Sequence, residues 1–198
     1  MGERRMRITG GVHRGRQVHA PAGTATRPTA DRVREALFSR LDAVLGGCEG
    51  TVVLDAYAGS GALGLEAISR GAFSATFVER SAPALKALRR NIDELGVSQT
   101  CAIVPTTLDR AVRGGALHGE AFTLLFLDPP YRINKFEVRV LIETLCKDMR
   151  LAPDAVVVWE HAVGSAADWP LRFESVGSRR YGSTEVDMAV YRTGGQNG

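Results

Sequence analysis

The sequence predicts an α/β protein built on a mostly parallel, doubly wound sheet, with helices on both faces and an antiparallel hairpin at the C-terminal edge. Three observations carry this. From residue 51 onward, short segments that are apolar throughout alternate with helical ones, and strands apolar on both faces belong to a parallel sheet covered on both sides. A glycine-rich turn, Gly59-Ser60-Gly61-Ala62-Leu63-Gly64, follows the first of these strands, where doubly wound sheets bind nucleotide-like ligands. Finally, 198 residues at 44% hydrophobic content suffice for one domain whose core needs no disulfide or metal.

The elements follow in order. Residues 6–20 (MRITGGVHRGRQVHA) hold two short alternating segments around Gly10–Gly11 and Gly15, a small β-hairpin studded with Arg14, Arg16 and two histidines. Thr29 is a natural N-cap for a helix in which Val33, Leu37, Leu41 and Val44/Leu45 recur at helical spacing, with Asp31 in the first turn and Arg32, Arg34 and Arg40 on the polar sides. Thr51–Tyr57 reads as a strand, and Ala62–Arg70 as a helix stopped by Gly71. Ala75–Glu79 is a strand and Pro83–Leu95 a helix ended by Gly96. Cys101–Pro105 and Phe122–Asp128 are strands, Phe136–Met149 a helix and Ala155–Trp159 a strand. Leu171–Arg180 and Thr184–Arg192 form the closing hairpin, joined near Gly182, and the Gly194–Gly198 tail is expected to be disordered.

The net charge of +3 is unevenly distributed. Residues 1–40 carry nine arginines against Glu3, Asp31 and Glu35, which leaves +6 there, while sixteen basic and nineteen acidic residues leave −3 on the remainder. A general preference for Arg over Lys, 22 to 3, accounts for the type of base but not for its placement. A basic arm on a mildly acidic body suits a polyanionic partner. No apolar stretch approaches the roughly 18–20 residues that cross a bilayer, and none follows Arg4, Arg5 and Arg7 as a secretory signal would require. Cys48, Cys101 and Cys146 form no CxxC pair and the four histidines match no metal spacing. A reduced, cytoplasmic, metal-free protein is expected.

The glycine turn alone suits an NAD dehydrogenase as well as an S-adenosylmethionine enzyme. Two acidic residues shift the balance. Asp55, four residues before Gly59, disfavours a pyrophosphate but suits a ligand carrying an ammonium and a sulfonium. Glu79, at the end of the next strand, can accept bonds from both ribose hydroxyls.

A second turn supplies the reaction. The strand Phe122–Leu127 runs into Asp128-Pro129-Pro130-Tyr131, a rigid turn at the ligand crevice. An exocyclic nucleobase amine is conjugated with its ring and nucleophilic only weakly. Asp128 can accept one of its N–H groups and the Pro129 carbonyl, fixed by Pro130, the other. That favours a pyramidal nitrogen whose lone pair points at a methyl group, and Tyr131 offers a face for base stacking. Methylation at a pyrimidine carbon would need a cysteine nucleophile, and no cysteine sits at such a turn.

With these motifs in place, the sequence resembles the bacterial 16S rRNA (guanine-N2) methyltransferase D family, named for guanine 966. MRITGG at 6–11, GR at 15–16, RPTADRVREALF at 27–38, LDAYAGSGALGLEAISRGA at 54–72, FVER at 77–80 and LDPPY at 127–131 carry the likeness. The resemblance implies a Rossmann-like class I methyltransferase fold that uses S-adenosylmethionine. Asp55, Gly59 and Gly61, with Tyr57 and Ser60 of the same loop, would line the cofactor site. Glu79, followed by Arg80, would hold the ribose, and Arg27 and Thr29 would lie near the methionine carboxylate. Thr106 or Thr107 would contact the adenine, and Asp128, Pro129, Pro130 and Tyr131 would hold the target amine. The implied partner is 16S rRNA in an assembled or assembling small subunit, met by a monomer with no membrane contact. Residues 1–25 are then expected to form an RNA-contacting hairpin extension, in which Arg7, His13, Arg14 and Arg16 join Arg32 and Arg34 of the helix. Residues 26–193 form the methyltransferase domain and 194–198 the tail. An adenine-N6 DNA methyltransferase uses the same DPPY logic but needs a target-recognition segment that this chain has little room for. An NAD-dependent dehydrogenase and a non-catalytic RNA-binding protein are the remaining alternatives.

Overall fold

The computed structural model describes residues 6–21, 29–130, 133–165 and 167–193. Arg27, Tyr131, the side chain of Thr29 and the 194–198 tail lie outside the described residues. The N-terminal hairpin pairs β1 (Met6–Arg7) with β2 (Gln17–Val18) and is followed by α1 (Thr29–Leu45). Then come β3 (Val52–Asp55), α2 (Ala62–Ser69), β4 (Ser74–Val78), α3 (Ala82–Leu95) and β5 (Cys101–Val104). A short helix, α4 (Leu108–Arg113), precedes β6 (Phe122–Leu127), α5 (Lys135–Lys147), β7 (Leu151–Ala162), β8 (Phe173–Tyr181) and β9 (Thr184–Tyr191).

One seven-stranded sheet has the order β5-β4-β3-β6-β7-β9-β8. The strands from β5 to β7 are parallel, and β9 and β8 are antiparallel to their neighbours. The chain leaves β3 in one direction and returns to β6 on its other side, so the switch point lies between β3 and β6, where such sheets open a crevice. The antiparallel hairpin is present, with an inversion of burial that places its strands. Val186, Met188 and Val190 of β9 are buried, so β9 takes the inner position, whereas β8 is exposed over seven consecutive residues and forms the edge.

Alternate residues of the central strands feed two cores. Val53 and Phe126 face α1, α2 and α3, with Phe38 of α1 packed 5.8 Å from Phe126. Leu54 and Leu127 face α4 and α5. Each large apolar side chain buried this way contributes about 1.5–3 kcal/mol. The hairpin shares the first core, since Ile8 and Val18 are each 1% exposed. It docks on the C-terminal end of α2, where Val12 N–H bonds Ser69 O at 2.8 Å. Gly11 is required at that contact: its φ is +76°, and a Cβ would lie 1.7 Å from the Ser69 carbonyl oxygen.

Glu66 of α2 ties the hairpin down. Fully buried, it accepts bonds from Thr9 N–H (2.8 Å), Thr9 Oγ1 (2.7 Å) and Gly10 N–H (2.8 Å). It also pairs with Arg34 Nε at 3.1 Å and Arg70 Nε at 2.9 Å. Among the described residues, no helix is long and apolar enough to cross a membrane.

Candidate active site

Asp55 closes β3 inside the protein, 3% exposed, and its Oδ2 accepts the Gly64 N–H at 3.0 Å. Gly64 lies in the first turn of α2, so the carboxylate caps the positive end of that helix. Burial pushes the Asp55 carboxyl up to about 7, against the pull of the Gly64 N–H and with help from the charges of Asp128 and Glu79. Gly61 begins the helix at φ +83°, and a Cβ there would sit 2.4 Å from Leu88 Cδ1, so the turn demands glycine on two counts.

Glu79, just past β4, holds the same loop from the other side. Its Oε2 accepts Gly59 N–H at 2.9 Å, and its Oε1 accepts the N–H groups of Arg80 (2.8 Å) and Ser81 (2.7 Å). Oε2 therefore keeps a lone pair for a ligand hydroxyl.

A cavity of about 770 Å³ opens at the carboxyl ends of the parallel strands, the size of a cofactor site. It brings together Tyr57, Glu79, Arg80, Thr106, Thr107, Asp128, Pro129 and Pro130 from the sequence-based candidates. Asp55, Gly59, Ser60 and Gly61 do not line it; they build the loop behind Tyr57 and Glu79. Thr107 Oγ1 is engaged as the N-cap of α4, accepting Arg110 N–H at 3.3 Å. The Tyr57 hydroxyl is buried with no hydrogen-bond partner among the described residues, and burial pushes it up to about 12.

The cavity is acidic among the described residues. Glu79, Asp109, Asp128, Glu137 and Glu160 line it, against Arg80 as the only lysine or arginine of its described lining. Such a field favours a cationic ligand and opposes the two phosphates of a dinucleotide. Asp128 is open to the cavity yet enclosed by surrounding protein, and that desolvation pushes its carboxyl up to about 6. Glu160 of β7, half-buried, is pushed up to about 7 by burial and by the charge of Asp128. The strand expected from sequence ends at Trp159, one residue short of Glu160, whereas β7 runs on to Ala162. The available signal was its position, an acid directly after an apolar strand, as Asp128 follows β6. All three cysteines are free, and burial pushes each thiol up to about 11, which holds them protonated.

Of the residues expected to meet RNA, Arg7, Arg14, Arg16 and Arg32 are exposed and His13 is half-buried. Arg34 is a correction. It is 4% exposed and committed to Glu66, to Asp31 Oδ1 at 2.8 Å and to the Arg7 carbonyl. Helical spacing put it on a polar side of α1, but the hairpin covers that side and Glu66 supplies its counter-charge.

The family model described as Conserved hypothetical protein 95 matches residues 6–190. Ribosomal RNA small subunit methyltransferase D of Escherichia coli is 34% identical over 180 residues, which cover 88% of this chain and 86% of that protein. A solved Escherichia coli chain, described as a candidate methyltransferase, superposes with a TM-score of 0.80 at 29% identity, covering 96% of this chain and 99% of that one. At 18% identity and a TM-score of 0.59, an RNA methyltransferase of Salinibacter ruber solved with S-adenosyl-L-homocysteine shares the fold over 88% of this chain and 98% of that one. The chain thus belongs to the Conserved hypothetical protein 95 family, with small-subunit rRNA methyltransferase D proteins among its relatives.

Proposed function

We propose that this protein methylates the exocyclic N2 amine of a guanine in 16S rRNA of the small ribosomal subunit, the nucleotide corresponding to guanine 966. The observation that carries the reading is the Asp128-Pro129-Pro130 turn at the end of β6, facing an acidic cavity at the switch point beside Glu79. The residues present fit S-adenosylmethionine: the cavity is anionic, and Glu79 Oε2 has an open lone pair. Bound there, the cofactor would supply an activated sulfonium methyl for the amine lone pair to take up, the displaced sulfur keeping the S–C electron pair.

The chain's own residues do the positioning. Asp128 and the Pro129 carbonyl accept the two amine hydrogens and turn the lone pair out of conjugation. Asp128 Oδ then takes the surplus proton, a task suited to a carboxyl near 6. Orientation carries most of the acceleration, because the methyl donor is already activated. Mass-spectrometric mapping of small-subunit rRNA modified in vitro tests the reading, with DNA as the parallel substrate. A single N2-methylguanine is expected, and methylation of adenine in DNA alone would overturn it.

Two further outcomes follow from the site. Asp128 must be ionised to accept the amine, and its desolvated setting raises its affinity for a proton, as burial and the charge of Asp128 do for the adjacent Glu160. Transfer should therefore rise with pH through about 6–7. Below that window it should fall by roughly tenfold per pH unit in single-turnover assays. The exposed arginines are expected to grip phosphate without reading sequence. Substituting Arg7, Arg14 or Arg32 by Ala should weaken subunit binding and lower the salt slope by about one each, with cofactor affinity unchanged in calorimetry.

A further inference from the structure

Asp128 and Pro129 account for the amine, while the carboxylate next to them has no task so far. Leu127 of β6 pairs with Trp159 of β7 in parallel register, so Asp128, just past β6, and Glu160, still inside β7, lie side by side. Glu160 lines the large cavity and also a small adjoining one of about 70 Å³, framed by Pro129, Pro130, Lys135 and Trp159. Among the described residues, nothing donates a hydrogen bond to either carboxylate. Asp128, open to the cavity, and half-buried Glu160 repel each other in the free protein, and a ligand that brings N–H groups in the same spacing relieves both.

The RNA bases differ in what they bring. Guanine carries its N2 amine beside a ring N1–H, a continuous run of donors. Adenine and cytosine place a bare ring nitrogen, an acceptor, beside the amine, and uracil has no amine. A carboxylate next to the amine-holding turn therefore matches guanine and repels a lone pair from the other amine-bearing bases.

We propose that Glu160 is the specificity-determining residue of the base site, its carboxylate accepting the guanine N1–H while Asp128 and the Pro129 carbonyl hold the N2 amine. This rests on the guanine-N2 reading above. The half-buried setting that raises the Glu160 carboxyl toward 7 is relieved when N1–H occupies it, so base binding and ionisation of Glu160 reinforce each other.

The test replaces the mapped target guanine by 2-aminopurine, which keeps the N2 amine but presents N1 as an acceptor. The full-length enzyme should prefer guanine over 2-aminopurine by about 10–100-fold in single-turnover transfer, the worth of one well-placed base contact. Glu160→Gln, whose amide can donate to N1, should lose guanine activity and gain activity on 2-aminopurine, bringing the two within about threefold. A gain on one substrate cannot arise from misfolding. Glu160→Asp, still an acceptor, should slow transfer to guanine yet keep the preference. Wild-type methylation of guanine with a preference that Glu160→Gln leaves unchanged would overturn the role of Glu160 and spare the functional reading. Absence of any wild-type transfer to guanine would overturn both.

Discussion

Asp128→Ala is expected to lower methyl transfer to the small subunit by about two to three orders of magnitude, the scale seen when one preorganised hydrogen-bonding group is removed from a reacting centre. Cofactor affinity, measured by calorimetry, should change by less than about threefold, because removing a carboxylate from an acidic cavity alters only one of several contributors to its field. The separation follows from position. Asp128 stands at the end of β6, while Glu79, proposed to hold the ribose, stands at the end of β4, two strands away across β3. Asp128→Asn should fall between wild type and alanine, since the amide oxygen still accepts an N–H but cannot take the surplus proton. Equal losses in transfer and cofactor binding, or no loss in transfer, would remove Asp128 from the centre of the reaction.

Glu66→Ala should be the most destabilising single substitution away from the cavity. The carboxylate satisfies Thr9, Gly10, Arg34 and Arg70 together, and its removal leaves Arg34 without its buried counter-charge, with only the more exposed Asp31 beside it. Breaking a buried pair from one side costs about 3–5 kcal/mol, which for a domain of this size lowers Tm by on the order of 10 °C. The loss should also be local at first: the amides of Thr9, Gly10 and Val12 should exchange with solvent faster than those of β3 or β6. A shift in Tm below about 2 °C would mean that the hairpin is held by Ile8 and Val18 alone.

Much of this molecule was legible in the chain because parallel strands advertise themselves. Segments such as Val52–Asp55 and Phe122–Leu127 are apolar on both faces, and the glycine and proline turns mark their ends. The short helix Leu108–Arg113 was not foreseen, since six residues carry too little periodicity to register, although Thr107 with Asp109 two residues on resembles a helix start. Strand order at the C-terminal edge was likewise hidden: adjacency within a hairpin does not say which strand faces the sheet. Arg34 was misplaced for a different reason. Helical periodicity assigns a side but not what covers it, and the covering segment lies 27 residues earlier. The clue lay in α2, where Glu66 is the only charge in an otherwise uncharged helix buried from Gly64 to Ser69. An acid in that setting requires a basic partner, and the arginine-rich N-terminal region was the obvious source.

The helix α2 joins two features otherwise described apart. Its first residue follows Gly61 of the glycine loop, and its last, Ser69, receives the hairpin through Val12. Eight residues at 1.5 Å each make a strut of about 12 Å, clamped by Asp55 at one end and stapled by Glu66 near the other. On the proposed reading, phosphates gripped by the hairpin would thereby be set at a fixed span from the reacting methyl. The protein would then work as a caliper on folded RNA, selecting the nucleotide that lies at the right distance from a backbone it holds rather than the one in the right sequence.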